Sequence, residues 1–254
     1  MSAGIRVGCC GLPVGLARYV RVFSAVEVQQ TFYQPPSLRT LANWRKKVPA
    51  GFEFTLKAWQ LITHEASSPT YRRLAEKLSG RERREAGAFR LNPVVMAAWE
   101  RTLACARALS SRIILFQCPA RFSPTPENVS NLRAFFREID RRSSGGRPFI
   151  YMWEPRGTWR PAEIRELCYE LNLVQGVDPF QQPPVIGGLG LGYFRLHGRT
   201  GYRYCYTEAD LEELLTLARA RESCYVFFNN MSMWEDAKRF RALVSRPSSG
   251  LASR

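Results

Sequence analysis

The sequence holds few of the features that announce a chemistry. Seven cysteines occur, Cys9, Cys10, Cys105, Cys118, Cys168, Cys205 and Cys224, and no two stand in a Cys-x-x-Cys pair. That spacing excludes a zinc ribbon, and a chain of this size needs no disulfide framework, so inert or buried thiols are expected. Only two histidines are present in 254 residues. No Gly-x-Gly-x-x-Gly run follows the first apolar segment, which weighs against a dinucleotide-binding sheet. No apolar run approaches the roughly 18 residues of a membrane span. Met1–Arg6 passes almost directly into a strand-like segment without a signal peptide, so a soluble, cytoplasmic protein with no membrane partner is expected.

Acidic charge is also scarce. Lys and Arg number 37 against 22 Asp and Glu, a formal net charge of +15. Such a balance suggests an anionic partner, whether nucleic acid, a phosphorylated metabolite or an acidic surface. A plain compositional bias towards arginine explains it equally well. The densest basic block, Arg72 to Arg107, is interleaved with Glu76, Glu82, Glu85 and Glu100 and reads as a solvated helical surface.

What is present is a regular beat of β-rich apolar runs: Ile5–Gly11, Ala25–Tyr33, Phe52–Ala58, Arg112–Pro119, Phe149–Pro155, Asn172–Pro179, Gly192–Gly198 and Cys224–Asn230. Helical stretches follow most of them, over Ser37–Val48, Val94–Leu109, Pro126–Arg142, Pro161–Leu171, Thr207–Arg221 and Ser232–Val244. Ser37, Thr125, Thr207 and Ser232 are the expected caps. Eight alternating units imply a parallel sheet covered by helices, and closure into a (β/α)₈ TIM-type barrel suits eight strands better than an open sheet. Two segments break the beat. Gln60–Pro93 is a charged insertion after the third strand, and Phe180–Gly190, rich in proline and glycine, replaces a regular sixth helix. One barrel domain is expected over residues 1–245, with a disordered polar tail over 246–254.

Strand alternation then sorts the side chains. Val26 and Val28 oppose Glu27, Gln29 and Thr31. Phe52, Phe54 and Leu56 oppose Glu53, Thr55 and Lys57. Phe194 and Leu196 oppose Tyr193, Arg195 and His197. If the apolar sets meet the helices, the polar sets enter the barrel, where unpaired burial would cost several kcal/mol per charge. Paired networks, an open site or both are implied. The C-terminal strand ends carry Glu27, Gln29, Lys57, Gln117, Glu154, Arg156, Asp178, His197, Asn229 and Asn230, with His64 just past the third strand. Those ends converge on the face where barrel active sites are built.

Several of the same segments resemble a known family. Val26-Glu27-Val28-Gln29-Gln30-Thr31-Phe32-Tyr33 with Pro35-Pro36, then Trp44, Pro49, Gly51-Phe52, Lys57 and Thr63-His64, is similar to the start of the DUF72 (YecE-like) family. Leu115-Phe116-Gln117, Glu154-Pro155-Arg156 with Trp159, Leu196-His197-Gly198 and Tyr225–Asn230 carry the resemblance almost to the end. It implies a TIM-type barrel and supplies no activity. The chain departs from the family pattern in three places. Cys9-Cys10-Gly11-Leu12-Pro13 stands where a Ser-Gly-Trp run is common, Glu27-Val28-Gln29 replaces Glu-Val-Asn, and the continuation Pro155-Arg156-Gly157 is altered.

Three chemistries suit these residues. Glu27, Glu154, Asp178 and His197 have metal-ligand chemistry, but Lys57, Arg156 and Arg195 compete for the carboxylates, so no metal and no cofactor is expected. A metal-independent acid–base enzyme, of hydrolase or isomerase type, would use Glu27 and Glu154 as acid and base with Lys57 and His197, and bind a small anionic or sugar-like substrate. Tyr33, Trp153 and Trp159 would then offer stacking surface, although core packing explains them as well. An anion site would draw on Lys57, Arg156, Arg195, Arg199 and Arg203, five cations against the carboxylates Glu27, Glu154 and Asp178. The non-enzymatic alternative is nucleic-acid binding or processing by the basic surface, with Tyr202, Tyr204 and Tyr206 stacking on bases.

Overall fold

The computed structural model describes residues 4–142, 148–185 and 189–246. Eight strands alternate with helices along the chain. They are β1 (Gly4–Cys9), β2 (Ala25–Val28), β3 (Glu53–Lys57), β4 (Ile113–Gln117), β5 (Ile150–Glu154), β6 (Leu173–Val177), β7 (Leu191–Leu196) and β8 (Ser223–Phe228). All pair in parallel, in the order β1-β8-β7-β6-β5-β4-β3-β2. A single parallel bridge between Cys10 and Glu27, with Gly11 N donating to Glu27 O at 2.8 Å, closes the ring between β1 and β2. The fold is a nearly closed TIM-type barrel.

The helices start where side chains can satisfy their first amides. Ser37 caps Leu38–Lys46 by accepting from Thr40 N. Thr125 Oγ1 accepts from Asn128 N at the head of Pro126–Arg142. Thr207 and Asp210 form a reciprocal capping box on Glu208–Arg219. Ser232 is different: it precedes Met233–Val244 but makes no capping bond, and its hydroxyl lies 2.9 Å from Cys205 Sγ instead. Pro93–Leu109 and Pro161–Glu170 both begin with a proline, whose missing N–H costs nothing in the first turn.

The insertion after β3 contains a helical turn (Gln60–Thr63), a 3₁₀ turn (Pro69–Arg73) and a short helix (Gly80–Glu85). It folds back on itself through Gly87 N to Leu61 O, Phe89 N to Ile62 O, and Tyr71 OH to His64 O at 2.7 Å. After β6 the described residues 178–185 hold no helix, and Val185 N is tied to Gln175 Oε1 at 2.7 Å. Of the expected tail, Arg246 still bonds back to Leu243 O, and 247–254 lie outside the described residues. No helix among the described residues is long and apolar enough to cross a membrane.

The core divides as the alternation requires. Val26, Val28, Phe54, Leu56, Phe116, Trp153, Phe194, Leu196, Val226 and Phe228 belong to the large cluster that joins strands to helices. A second, smaller cluster of Ala25, Ile113, Leu115, Met152, Val174, Tyr193, Tyr225 and Phe227 fills the barrel itself. Positions two residues further along β2, β4, β5 and β7, Glu27, Gln117, Glu154 and Arg195, are buried and polar, as is Lys57 two beyond Thr55 on β3.

Candidate functional site at the barrel mouth

Arg195 sits at the centre of that polar layer. Its Nε and Nη2 fork onto Glu27, at 3.0 Å to Oε2 and 2.8 Å to Oε1, and its Nη1 donates to Glu154 Oε2. Tyr193, one inward position below on β7, donates its hydroxyl to Glu27 Oε2 at 2.6 Å and lies 2.9 Å from Thr55 Oγ1. Gln29 Nε2 donates to Glu27 Oε1. Gln117 bridges the remaining members: its Nε2 donates to Glu154 Oε1 at 2.8 Å while its Oε1 accepts from Lys57 Nζ. The ammonium group of Lys57 also rests 3.5 Å from the centroid of the Phe32 ring. Arg195 and Glu27 are at most 1% exposed. Gly176 on β6 leaves the room this layer needs, since a Cβ there would press on Leu115 and Glu154.

The electrostatics follow from burial and pairing. Burial pushes the Glu27 carboxyl up, but the Arg195 charge, its forked hydrogen bonds and the Tyr193 hydroxyl outweigh it, and the net direction is down. Burial opposes ionisation at Glu154 too, yet Arg195 and then Arg156 hold it well below the usual carboxylate range. Burial, then the Arg195 charge, lower Lys57 from 10.5 to about 7. These surroundings lower Glu27 and Glu154 together and do not push them apart. Both stay ionised because both serve the same guanidinium.

The open part of the mouth lies beside this layer, over the ends of β5, β6 and β7. A cleft of about 420 Å³ is lined by Glu154, Arg156, Trp159, Asp178, Gln181 and His197, among others. Arg156 Nε donates to Glu154 Oε1 at 2.9 Å, and its Nη2 lies 3.3 Å from His197 Nε2. Asp178 Oδ2 accepts from the His197 backbone N at 2.7 Å and faces Nδ1 of the same ring at 3.6 Å. Carboxylate, imidazole and guanidinium thus form a chain along the rim, with Arg156 42% and His197 27% exposed. Gly157, at φ 94°, lets the chain pass Ala120, whose carbonyl a Cβ would strike at 2.2 Å.

The remaining expected site residues divide. His64 is buried against Phe32 and bonded to Thr63, and burial with the nearby charges of Lys57 and Arg156 lowers it to about 3, so it is neutral. Tyr33 is half-buried under the Arg73 guanidinium, not a free stacking surface. Trp153 is fully buried and Trp159 nearly so, with its Nε1 on Phe122 O; core packing accounts for both. Arg199 turns away from the mouth to Asp210, at 2.6 Å, and to Glu213, and lies over Phe180. Asn230 is buried and donates to Tyr204 O and Asp236 Oδ2, both at 2.7 Å, so it pins a loop. Asn229 is half-buried, its backbone N continuing the ladder to Leu196 O. Tyr204 and Tyr206 spend their hydroxyls on Asp210 and on accepting from Gly198 N, leaving only Tyr202 of the proposed stacking trio exposed.

The count of five cations around three carboxylates is corrected by the same geometry. Arg195 and Arg156 face Glu27 and Glu154, Lys57 donates to the neutral Gln117, Arg199 has Asp210 and Glu213, and Arg203 is exposed at residues Thr200–Cys205, outside the cleft. Sequence reasoning missed Gln181 and Gln182, which reach the cleft from the segment that replaces a sixth helix. No periodicity marks such a loop. Among the described residues no group of three His, Cys, Asp or Glu side chains gathers to hold a metal.

The sequence matches the family described as "Protein of unknown function DUF72" over residues 11–252. The chain belongs to that family. Solved structures agree on the fold. A DUF72 family protein from Enterococcus faecalis V583 is similar at 22% identity over 96% of this chain and 99% of its own, with a TM-score of 0.70. One from Thermotoga maritima MSB8 is similar at 20% identity over 96% and 100%, with a TM-score of 0.66. A xylose isomerase domain-containing protein from Salmonella typhimurium LT2 shares 13% identity over 91% and 90%, with a TM-score of 0.56. None of the curated proteins matches the sequence.

Proposed function

We propose that this DUF72 protein is an acid–base enzyme of the hydrolase or isomerase type acting on a small hydroxyl-rich, sugar-like molecule in the cleft over β5, β6 and β7. The observation that carries this reading is the chain Asp178–His197–Arg156 along an open rim. Asp178 holds the His197 backbone and lies near its Nδ1, the cleft-lining imidazole would transfer the proton once substrate displaces Arg156 from its Nε2, and Arg156 would then steady charge that develops on substrate oxygen. Glu154 and Asp178 offer acceptors, and Gln181 and Gln182 both donors and acceptors, a set matched to hydroxyl groups. The charges beneath, two carboxylates against Arg195 and Arg156 with burial lowering Lys57 to about 7, favour a neutral polyol over the phosphorylated ligand that composition suggests. The buried layer positions the rim rather than reacting. The xylose isomerase domain-containing neighbour shares the barrel, and that likeness speaks for the fold alone.

Calorimetric titration with D-fructose, fructose 6-phosphate and inorganic phosphate tests this. Binding of the free sugar, lost in His197→Ala and Asp178→Ala, is the expected result. Binding of phosphate and of the sugar phosphate alone, abolished by Arg156→Ala, would return the anionic ligand to this cleft and sink the sugar reading.

A further inference from the structure

Two further arginines without a carboxylate partner among the described residues line a cavity at the other end of the barrel. At the N-terminal face, opposite the mouth, a second cavity of about 430 Å³ opens between the starts of β3, β4, β5 and β8. Phe52, Phe54, Ile113 and Ile150 give it apolar walls, and Arg45 and Arg112 stand among its lining residues. The one carboxylate in the lining, Glu53, is already committed: Arg6 pairs with it at 2.8 Å, and Tyr225 OH donates to it. Arg6 also lies over the Tyr225 ring, 5.7 Å from its centroid. Among the described residues no carboxylate pairs with Arg45 or Arg112. Arg45 bonds the backbone carbonyls of Phe52, at 2.6 Å, and Pro49, while among the described residues Arg112 bonds Pro148 O, at 3.2 Å. Carbonyl acceptors satisfy N–H groups without cancelling the charge, so two guanidiniums remain electrically uncompensated beside an apolar wall.

We infer that this cavity is a second ligand site, for a small amphipathic anion whose aromatic or aliphatic body packs on Ile113, Ile150 and Phe54 and whose phosphate or carboxylate pairs with Arg112. The guanidinium fork suits a planar or tetrahedral oxyanion in two-point contact. Burying the ligand's hydrocarbon part against existing apolar walls supplies the rest of the affinity and discriminates against bare phosphate. The site is independent of the sugar-binding reading, since it shares no residue with the cleft at the mouth.

Calorimetry with phenyl phosphate tests it, with inorganic phosphate as the bare-anion control. Wild type should bind phenyl phosphate at least tenfold more tightly than inorganic phosphate. Arg112→Ala, at an exposed position, should weaken phenyl phosphate at least tenfold while its melting temperature stays near that of wild type. Ile150→Trp, which fills the cavity without changing charge, should abolish binding, and Arg156→Ala at the mouth should leave it unchanged. Equal affinity in Arg112→Ala and wild type, loss of binding in Arg156→Ala, or no heat from folded wild type at millimolar phenyl phosphate would each overturn the site.

Discussion

The barrel interior holds two neighbouring layers built on opposite principles. In one, Ile113, Leu115, Met152, Val174 and Phe227 pack as hydrocarbon. In the other, two residues further along the strands, Arg195, Glu27, Glu154, Gln117 and Lys57 meet through hydrogen bonds and ion pairs, equally sealed from solvent. The apolar layer is held by non-directional burial and tolerates repacking. The ionic layer is stable only while every partner is present, because desolvated charge is repaid by geometry alone. The same burial thus makes one layer adaptable and the other dependent on its partners, and the rim joins the second where Arg156 Nε donates to Glu154 Oε1.

Removing Arg195 should separate the layers most sharply. Arg195→Ala leaves Glu27 and Glu154 buried without a counter-charge, and a loss of about 3–5 kcal/mol is expected in urea unfolding. Met152→Ala in the apolar layer should cost about 2–5 kcal/mol through its cavity. The contrast appears in repair. Leucine at 152 should restore most of the loss, whereas lysine at 195, lacking the fork, should restore little. Equal recovery by both would erase the distinction drawn here.

Acid should attack the ionic layer first. Glu27 and Glu154 titrate lower in the fold than their ordinary 4.5, so their stabilisation is complete above that value and lost as pH falls below it. His64, lowered from 6.5 to about 3, adds in the same direction, since the unfolded chain takes up its proton first as pH falls through that window. Urea midpoints should therefore drop steadily below about pH 6.5. A midpoint flat between pH 6.5 and 4.5 would remove the His64 contribution, and one that stays flat from pH 4.5 down to pH 3 would show that the carboxylate network carries no net stabilisation.

Lys57 gives a subtler effect at the alkaline side. Its folded value near 7 lies below the ordinary 10.5, so between those limits the unfolded state binds more protons and stability rises with pH. Lys57→Met should flatten that rise, because it removes the group whose proton the fold releases. Persistence of the full slope in the variant would place the titrating group elsewhere. The smallest expected effect is far from both layers: Thr207→Ala removes a helix cap and should cost about 1 kcal/mol, with ligand binding at the mouth untouched. A loss of binding in that variant would couple the outer helices to the site.

Much of this was legible in the chain because alternation along a strand is a local property. Glu27, Lys57, Tyr193 and Arg195 fall on the inward face by parity, and the positions of the eight strands follow from the apolar runs. Ser37, Thr125 and Thr207 cap helices because the bond spans three residues. Ser232 has the same composition but bonds across space to Cys205, and nothing local forecasts that. Asn230 and Arg199 sit at strand ends like true mouth residues, yet turn outward to Asp236 and to Asp210 and Glu213.

The sequence by itself determined the barrel, the inward polar set and the family, since each rests on periodicity or on motif order along the chain. Tertiary structure decided which charges cancel. Arg195 meets Glu27 across 168 positions of sequence and Glu154 across 41, so their common ionisation depends on distances that no spacing records. Net charge is a sum over the whole chain, whereas a site feels only the charges within a few ångströms. That is why an excess of 15 positive charges leaves Arg195 and Arg156 paired with carboxylates at the mouth, while among the described residues Arg45 and Arg112 have no carboxylate partner at the opposite end.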